Sequence, residues 1–318
     1  MTTLAVSAVI PAHNPNGGRL RATLGGLRKQ SLPPENWETL LVDNASSAFP
    51  PKGEWAEAAP ANLRVIAEPK LGLTSARLAG IRAAQGTIIV MVDDDNVLDP
   101  NYLAEVVRIF SLDGRLGAAG GKSLPVFESS PAPWQGEFLS LLALRDLGES
   151  ELVARSFRPD GATLNEYPPF APVGAGMALR REAALAWMDA VDRDPRRSRF
   201  DRSGLDLVSG GDNDIVMTLL EQGWTVGYFP TLSLGHLIPA ARLDPGYLAR
   251  LNRAIQRSWV QVLGLHGANP WPGIARWTVP LRQVKAYFVH KAWQTPVGRI
   301  RWQGACGHFE GRASVPRC

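Results

Sequence analysis

In Thr87-Ile88-Ile89-Val90-Met91-Val92-Asp93-Asp94-Asp95-Asn96, five apolar residues run straight into three carboxylates. Gly86 precedes the run and Asp99-Pro100 closes it, which predicts a short buried strand. Side chains alternate along a strand, so Asp93 and Asp95 are expected on one face and Asp94 on the other. Three like charges at a buried strand end repel one another unless something positive sits among them. A hard divalent cation with oxygen ligands would answer that repulsion. A solvated acidic turn leading into a helix over 102–110 would answer it too.

Upstream, Leu4-Ala5-Val6-Ser7-Ala8-Val9-Ile10 predicts a buried strand stopped by Pro11. The loop Pro11-Ala12-His13-Asn14-Pro15-Asn16-Gly17-Gly18 then leads into a helix over 19–30, with Leu20, Leu24 and Leu27 on one face. A second strand, Thr39-Leu40-Leu41-Val42, ends at Asp43-Asn44-Ala45-Ser46-Ser47, and a third covers 63–67. A helix is expected from Thr74 or Ser75 to Ala84, with Leu78 and Ile81 inward and Gly86 as its stop. This alternation argues for a mostly parallel sheet with helices on both faces. His13-Asn14, Asp43-Asn44 and Asp93-Asp94-Asp95 each follow a strand. Ligands in open α/β sheets bind outside the carboxyl ends of the strands. Three polar turns would thus line one pocket, which favours the cation. The first turn has no Gly-x-Gly-x-x-Gly fingerprint and no Walker lysine loop, so a phosphate would be held by metal and cations.

The second half is less regular. A strand and turn are expected over 117–121, a loop over 125–133, and an amphipathic helix over 134–146 with Leu141, Leu142 and Leu144 in the core. The polar, proline-containing segment 148–172 has the character of a substrate lid. In Pro172-Val173-Gly174-Ala175-Gly176-Met177-Ala178-Leu179-Arg180-Arg181, the glycines allow either close substrate approach or a bulge. Ser209-Gly210-Gly211-Asp212-Asn213-Asp214 opens a helix that buries Ile215, Val216, Leu219 and Leu220 and ends at Gly223. Asp212 or Asp214 could serve there as N-cap. A short strand over 224–229 follows, and Leu234-Gly235-His236-Leu237-Ile238-Pro239 reads as a loop before a helical C-terminal region.

The 318 residues, 45% hydrophobic and 20% charged, suit a globular chain with a substantial core. The net charge of +4 is unevenly spread: beyond Gly273, Arg276, Arg282, Lys285, Lys291, Arg299, Arg301, Arg312 and Arg317 face only Glu310. Such a region favours an anionic partner, either a phosphorylated substrate or a membrane surface. No nucleic-acid module is visible, so nucleic acid is not an expected partner. Cys306 and Cys318 form no Cys-x-x-Cys pair, and Met1-Thr2-Thr3 leads directly into a strand without a leader pattern. The expected location is therefore cytoplasmic, with peripheral contact at the inner face of the membrane as an option. No run reaches the ~18 apolar residues of a membrane helix.

Together these motifs resemble the family 2 glycosyltransferases, through most of 4–243. The resemblance rests on Pro11-Ala12-His13-Asn14, Val42-Asp43-Asn44-Ala45-Ser46, Gly72-Leu73-Thr74-Ser75-Ala76-Arg77, Asp93-Asp94-Asp95, Gly174-Ala175-Gly176, Gly211-Asp212-Asn213-Asp214 and His236, in that order. It implies an α/β GT-A fold, a Rossmann-like mixed sheet flanked by helices. The implied domains are 1–243, the GT-A domain, and 244–318, a mainly helical Trp/Arg-rich extension. The implied reaction is inverting transfer of a sugar from a nucleoside-diphosphate sugar to an acceptor hydroxyl on a glycan, polysaccharide or lipid-linked molecule. Asp95 and His236 would hold Mn²⁺ or Mg²⁺. Pro11, Ala12, His13, Asn14, Asp43, Arg77, Asp93 and Asp94 would bind the nucleotide sugar, and Arg77 has the alternative of a surface helix arginine. Gly174, Ala175, Gly176 and Asp214 would lie on the acceptor side, and Asp212 would be the base. Gly211 stands where the family commonly has Glu, so the base falls to Asp212, with Asp214 as its rival. Leu78 stands where Asn is common, and His13 replaces a frequent Tyr. Two other classes share parts of the pattern: a sugar-phosphate nucleotidyltransferase and a non-catalytic nucleotide-sugar binder. The tryptophans and cations beyond residue 244 suit membrane contact, a packed helical subdomain or a homo-oligomer contact.

Overall fold

The structure, a computed structural model, describes residues 4–154, 167–204 and 206–315. Much of the lid-like segment over 148–172 lies outside the described residues. Among the described residues, nine strands form one mixed sheet: β1 (Val6–Ala12), β2 (Trp37–Asn44), β3 (Leu63–Glu68), β4 (Ile88–Met91), β5 (Asn96–Leu98), β6 (Leu116–Phe127), β7 (Leu152–Ala154), β8 (Ala178–Arg180) and β9 (Thr225–Ile238). The order is β3-β2-β1-β4-β8-β6-β9-β5, with β7 on β9. β3, β2, β1 and β4 are parallel. β8 runs antiparallel to both β4 and β6, and β5 is antiparallel to β9. The expected mixed sheet is present.

β1 shows why both faces are covered. Val6, Ala8 and Ile10 join a core with Leu20, Leu24 and Leu27 of α1 (Gly17–Arg28) and with Leu103 and Val106. Val9 points the other way, towards α3 (Leu73–Ala83), where a Cβ on Gly80 would lie 2.2 Å from Val9 Cγ1. The intervening α2 (Lys52–Trp55) is a single short turn, and α4 (Tyr102–Leu112) carries Leu103 and Val106. α5 (Arg181–Arg193) and α6 (Gly211–Glu221) follow.

Several boundaries differ from the sequence expectation. Pro11 does not stop β1, which pairs with β2 as far as Ala12↔Asp43. Its pairing with β4 ends at Val9↔Met91, so the missing N–H of Pro11 falls where no ladder bond is required. Gly86 is not the stop of α3. The helix ends at extended Ala84, and a Cβ on Gly86 would lie 2.5 Å from Ser7 N, so this glycine permits a backbone crossing. β6 continues through Pro125 to Phe127, and Pro133–Leu142 is a 3₁₀ helix rather than an α-helix reaching residue 146. Of its three expected core leucines, Leu142 alone is fully buried. The expected loop around His236 is the second half of the 14-residue strand β9.

The chain forms two compact units. Met1–Val126, Ala143–Ser198 and Ile215–Leu237 contain nearly all of the sheet. Phe127–Leu142, Arg199–Asp214 and Ile238–Cys318 contain α7 (Pro245–Leu265), α8 (Val279–Val289) and α9 (Pro296–Ser314). α7 is capped by Asp244, whose carboxylate accepts from Tyr247 N at 2.9 Å, and α9 by Thr295. α9 meets α7 through Gly304, Gly307 and Gly311. A Cβ on Gly307 would lie 1.9 Å from Arg253 O, so this helix pair closes to backbone contact. No helix among the described residues is long and apolar enough to cross a membrane.

Candidate active site

The sheet register puts three polar turns at one edge of the first unit. Ala12 is level with Asp43, and the ladder from β1 to β4 ends at Val9↔Met91, two residues before the carboxylate run. Side chains then tie the turns together. Asn14 sits at φ 47°, a left-handed conformation that Asn tolerates, and its N–H donates to Ser46 Oγ at 2.8 Å. Its Oδ1 accepts from Ala48 N at 2.9 Å. His13 Nδ1 lies 2.8 Å from Asn44 O. Asp43 Oδ1 accepts from Ser46 N at 3.2 Å, which leaves this half-buried carboxylate a second oxygen. Asn44 extends the tie to the turn before α3: it donates to Lys70 O at 2.7 Å and accepts from Gly72 N at 2.8 Å. Exposed His13 and Asn14 therefore form the rim of a crosslinked edge, above buried Pro11 and Ala12.

Strand alternation does not govern the acidic triplet, because β4 ends at Met91 and Asp93–Asp95 form a turn. Asn96 N donates to Asp93 O at 3.0 Å, and Asp93 N donates to Asn96 Oδ1 at 3.3 Å. The turn delivers Asp95 into β5, where Asn96 pairs with His236 and Leu237 N donates to Asp95 O at 2.8 Å. Asp95 and His236, 4% and 3% exposed at the side chain, thus face each other with Oδ1 and Nε2 3.4 Å apart. Asn96 Nδ2 donates to the same Oδ1 at 3.2 Å. A carboxylate and an imidazole held in register are a donor pair suited to a divalent cation. Among the described residues no group of three or more His, Cys, Asp or Glu is placed to hold a metal alone. The residues fit a cation that takes its remaining ligands from phosphate and water, the usual mode for Mg²⁺ sites.

Arg77 on α3 is 4% exposed, so it is not the surface helix arginine that its position allowed. Gly176 adopts φ 75°, and a Cβ there would meet Leu234 at 2.6 Å and the Tyr102 hydroxyl at 2.7 Å. Its missing side chain is replaced by protein rather than left for a ligand, and Tyr102 Oη donates to Gly176 O. Burial pushes the Tyr102 hydroxyl pKa well up, which keeps it a donor. Ala175 and Gly176 are buried and Gly174 is half-buried, so Gly174 is the accessible residue of the three.

In the second unit, neither Asp212 nor Asp214 caps α6. The helix starts at Gly211, and Gly210 O receives the first bond, from Asp214 N at 2.9 Å. Both carboxylates sit in the first turn, where the helix dipole favours negative charge. Their surroundings differ. Asp214 is 1% exposed, and His266 Nε2 lies 2.9 Å from its Oδ1. Asp212 is half-buried, and its Oδ1 accepts from Asn213 N at 3.0 Å. Asp201 was not singled out from the sequence. Its buried carboxylate lies about 2.2 Å from where a Cβ on Gly211 would be, so a carboxylate occupies the side-chain space at 211 although residue 211 has none. The sequence signal was the glycine itself, standing where Glu is common. His266, the C-cap of α7, was also unremarked.

A part-parallel nine-stranded sheet with polar turns at the strand ends, an acidic turn facing a histidine and a helical C-terminal region define a GT-A-type α/β fold. The mannosyltransferase PcManGT from Pyrobaculum calidifontis, solved in complex with GDP-Man and Mn²⁺, has this fold. It superposes with a TM-score of 0.51 at 18% identity, over 95% of this chain and 74% of that one. The family model for glycosyl transferase family 2 matches residues 7–184, and the chain belongs to that family. A putative glycosyltransferase, EpsH, from Bacillus subtilis is 31% identical over 109 residues, 34% of this chain and 31% of that protein. The amylovoran biosynthesis glycosyltransferase AmsB from Erwinia amylovora is 29% identical over 159 residues, 48% of this chain and 50% of that protein. The chain thus spans half or less of the curated relatives it matches.

Proposed function

We propose that the protein transfers a sugar from a nucleoside-diphosphate sugar to an acceptor hydroxyl, with inversion at the anomeric carbon. The observation that carries this reading is the buried Asp95–His236 pair beside the crosslinked strand ends. Family membership and the GT-A-type fold support it, as do the donor and cation named for the related mannosyltransferase structure. Asp43 accepts a hydrogen bond from the nucleobase through its second oxygen. Asp93 approaches the ribose or waters of the cation's shell, and Asp94 supports the turn. Asp95 and His236 would hold a divalent cation, which would supply Lewis acidity against charge developing on the diphosphate. The imidazole favours Mn²⁺ over Mg²⁺, because nitrogen ligands suit transition metals better. Arg77 adds positive charge towards the nucleotide, and the Pro11–Asn14 turn forms the rim of its pocket.

On the acceptor side, Gly174 offers backbone and Asp212 takes the hydroxyl proton as the new C–O bond forms and the C–O bond to the diphosphate breaks. Asp212 suits this task better than Asp214, whose burial against His266 closes it to an incoming hydroxyl. The acceptor is a carbohydrate or a lipid-linked molecule, reached from the cytoplasmic side with peripheral contact to the inner face of the membrane through the C-terminal region.

A panel of UDP- and GDP-sugars with simple glycan and lipid-linked acceptors tests this. Product NMR should show an anomeric configuration opposite to that of the donor. Retained configuration would remove Asp212 as a single-displacement base, and a product carrying the nucleotide would point to nucleotidyl transfer instead.

A further inference from the structure

α8 shows two faces of opposite character. Its inner face is committed to α9: Trp302 Nε1 donates to Gln283 O at 2.9 Å, Tyr287 packs edge-on to Trp302 at 5.2 Å, and Ala286 is buried. Its outer face carries Leu281, Val284 and Phe288 at intervals of three and four, which form one stripe on a helix. These side chains are 65%, 58% and 62% exposed, and Trp277 and Trp293 at either end are 74% and 52% exposed. Large apolar side chains gathered on one exposed helix face mark an interaction surface rather than chance exposure.

The charge around this face indicates its occupant. No Asp or Glu occurs between Asp244 and Glu310. Glu310 is engaged internally, accepting from Arg253 Nε at 3.2 Å and from Gln283 Nε2 at 3.0 Å. Arg276, Arg282, Lys285 and Lys291 are exposed beside the apolar stripe. Burial, and then the nearby charge of Arg282, holds the Arg312 pKa below its ordinary value, in keeping with a region where cations feel mainly one another. A second copy docked about a two-fold axis would bring these same cations face to face. An anionic lipid surface meets both requirements, apolar depth for the stripe and negative charge for its flanks. Eleven residues are too few to span a bilayer, so the helix would lie in the interface.

We propose that the outer face of α8, framed by Trp277 and Trp293, docks on an anionic membrane surface. This rests on the peripheral contact included in the proposed function and specifies which residues make it and which lipid class they meet.

Co-sedimentation of the full chain with phosphatidylcholine vesicles, alone or with about one third phosphatidylglycerol, tests it. The chain should bind the anionic vesicles, more weakly as salt rises. A Leu281→Ser/Phe288→Ser/Trp293→Ser variant should bind at least about tenfold more weakly, and Lys285→Gln and Lys291→Gln should each cost roughly fivefold. Leu281, Lys285 and Lys291 are exposed, whereas Phe288 and Trp293 also touch each other and Tyr287, so the triple variant should melt somewhat below the parent. Binding is compared at a temperature where melts show every chain folded, and there sugar transfer to a soluble acceptor should be unchanged. Equal binding by the triple variant would overturn the proposal. So would failure of the parent chain to bind anionic vesicles, or a dimer of the parent that the triple variant turns into a monomer. A chain that binds vesicles through α8 but transfers no sugar would leave the docking face intact and refute the enzymatic reading.

Discussion

Asp212 and Asp214 are two residues apart in one helical turn, yet their environments differ, and the proposed function gives them different work. Asp214 is sealed against His266, whereas Asp212 stays accessible with one oxygen held by Asn213 N. Asp212→Asn should lower kcat by roughly 10²–10⁴ with KM little changed, because only proton transfer is lost. Asp214→Asn should retain turnover but lower Tm by several degrees, as a buried charged hydrogen bond contributes about 1.5–3 kcal/mol. Steady-state kinetics and a thermal melt on both variants check this, and the reverse pattern would exchange the roles. Asn96 Nδ2 donates to Asp95 Oδ1, so in the proposed function it would orient the cation's carboxylate from one step away. Asn96→Ala should weaken Mn²⁺ activation about 10–100-fold while nucleotide-free stability changes less. At Gly211, a substitution to Ala must displace the Asp201 carboxylate, so it should cost stability that Asp201→Ala largely restores in the double variant.

At the scale of elements, the parallel half of the sheet was legible because its strands are short apolar runs closed by polar turns. β9 was not. Gly235, His236 and Pro239 look like loop residues, and what makes Leu234–Ile238 a strand is pairing with the distant Asn96–Leu98 segment. The same non-local pairing seats His236 opposite Asp95, so the sequence named both members of the pair without the geometry that joins them. The expected alternation of Asp93 and Asp95 failed for a related reason: the strand had already ended in a turn. The glycines of α9 were likewise unread, since their meaning lies in the α7 backbone they approach. Gly307→Ala should separate that helix pair and destabilise the protein by about 1–3 kcal/mol, read from a denaturant melt. Burial pushes the Cys306 thiol, on the same helix, from an ordinary 9.0 up to about 11. A raised pKa favours the neutral thiol in the folded state, so its contribution is complete below pH 9 and lost as pH rises through 11. Cys306 should resist alkylation at neutral pH until the protein unfolds, a point that peptide mass mapping can follow.

In the whole molecule, the residues of the proposed function fall in both compact units. The sheet-bearing unit holds every proposed nucleotide and cation residue, and the second unit supplies Asp212, Asp214 and the basic helices. The family match at 7–184 covers the first group apart from His236 and stops short of Asp212. Under the proposed roles, Asp95→Ala should impair donor use and Asp212→Asn transfer, so the two defects should be separable by mutation. The most direct test of the account is release of nucleoside diphosphate from the best sugar nucleotide, followed for the parent chain and for Asp95→Ala, with Mn²⁺ and with chelator. The parent chain should release nucleoside diphosphate with Mn²⁺ and lose that release in chelator, and Asp95→Ala should release little under either condition. Equal release by the parent chain in Mn²⁺ and in chelator, or an Asp95→Ala chain as active as the parent, would contradict it.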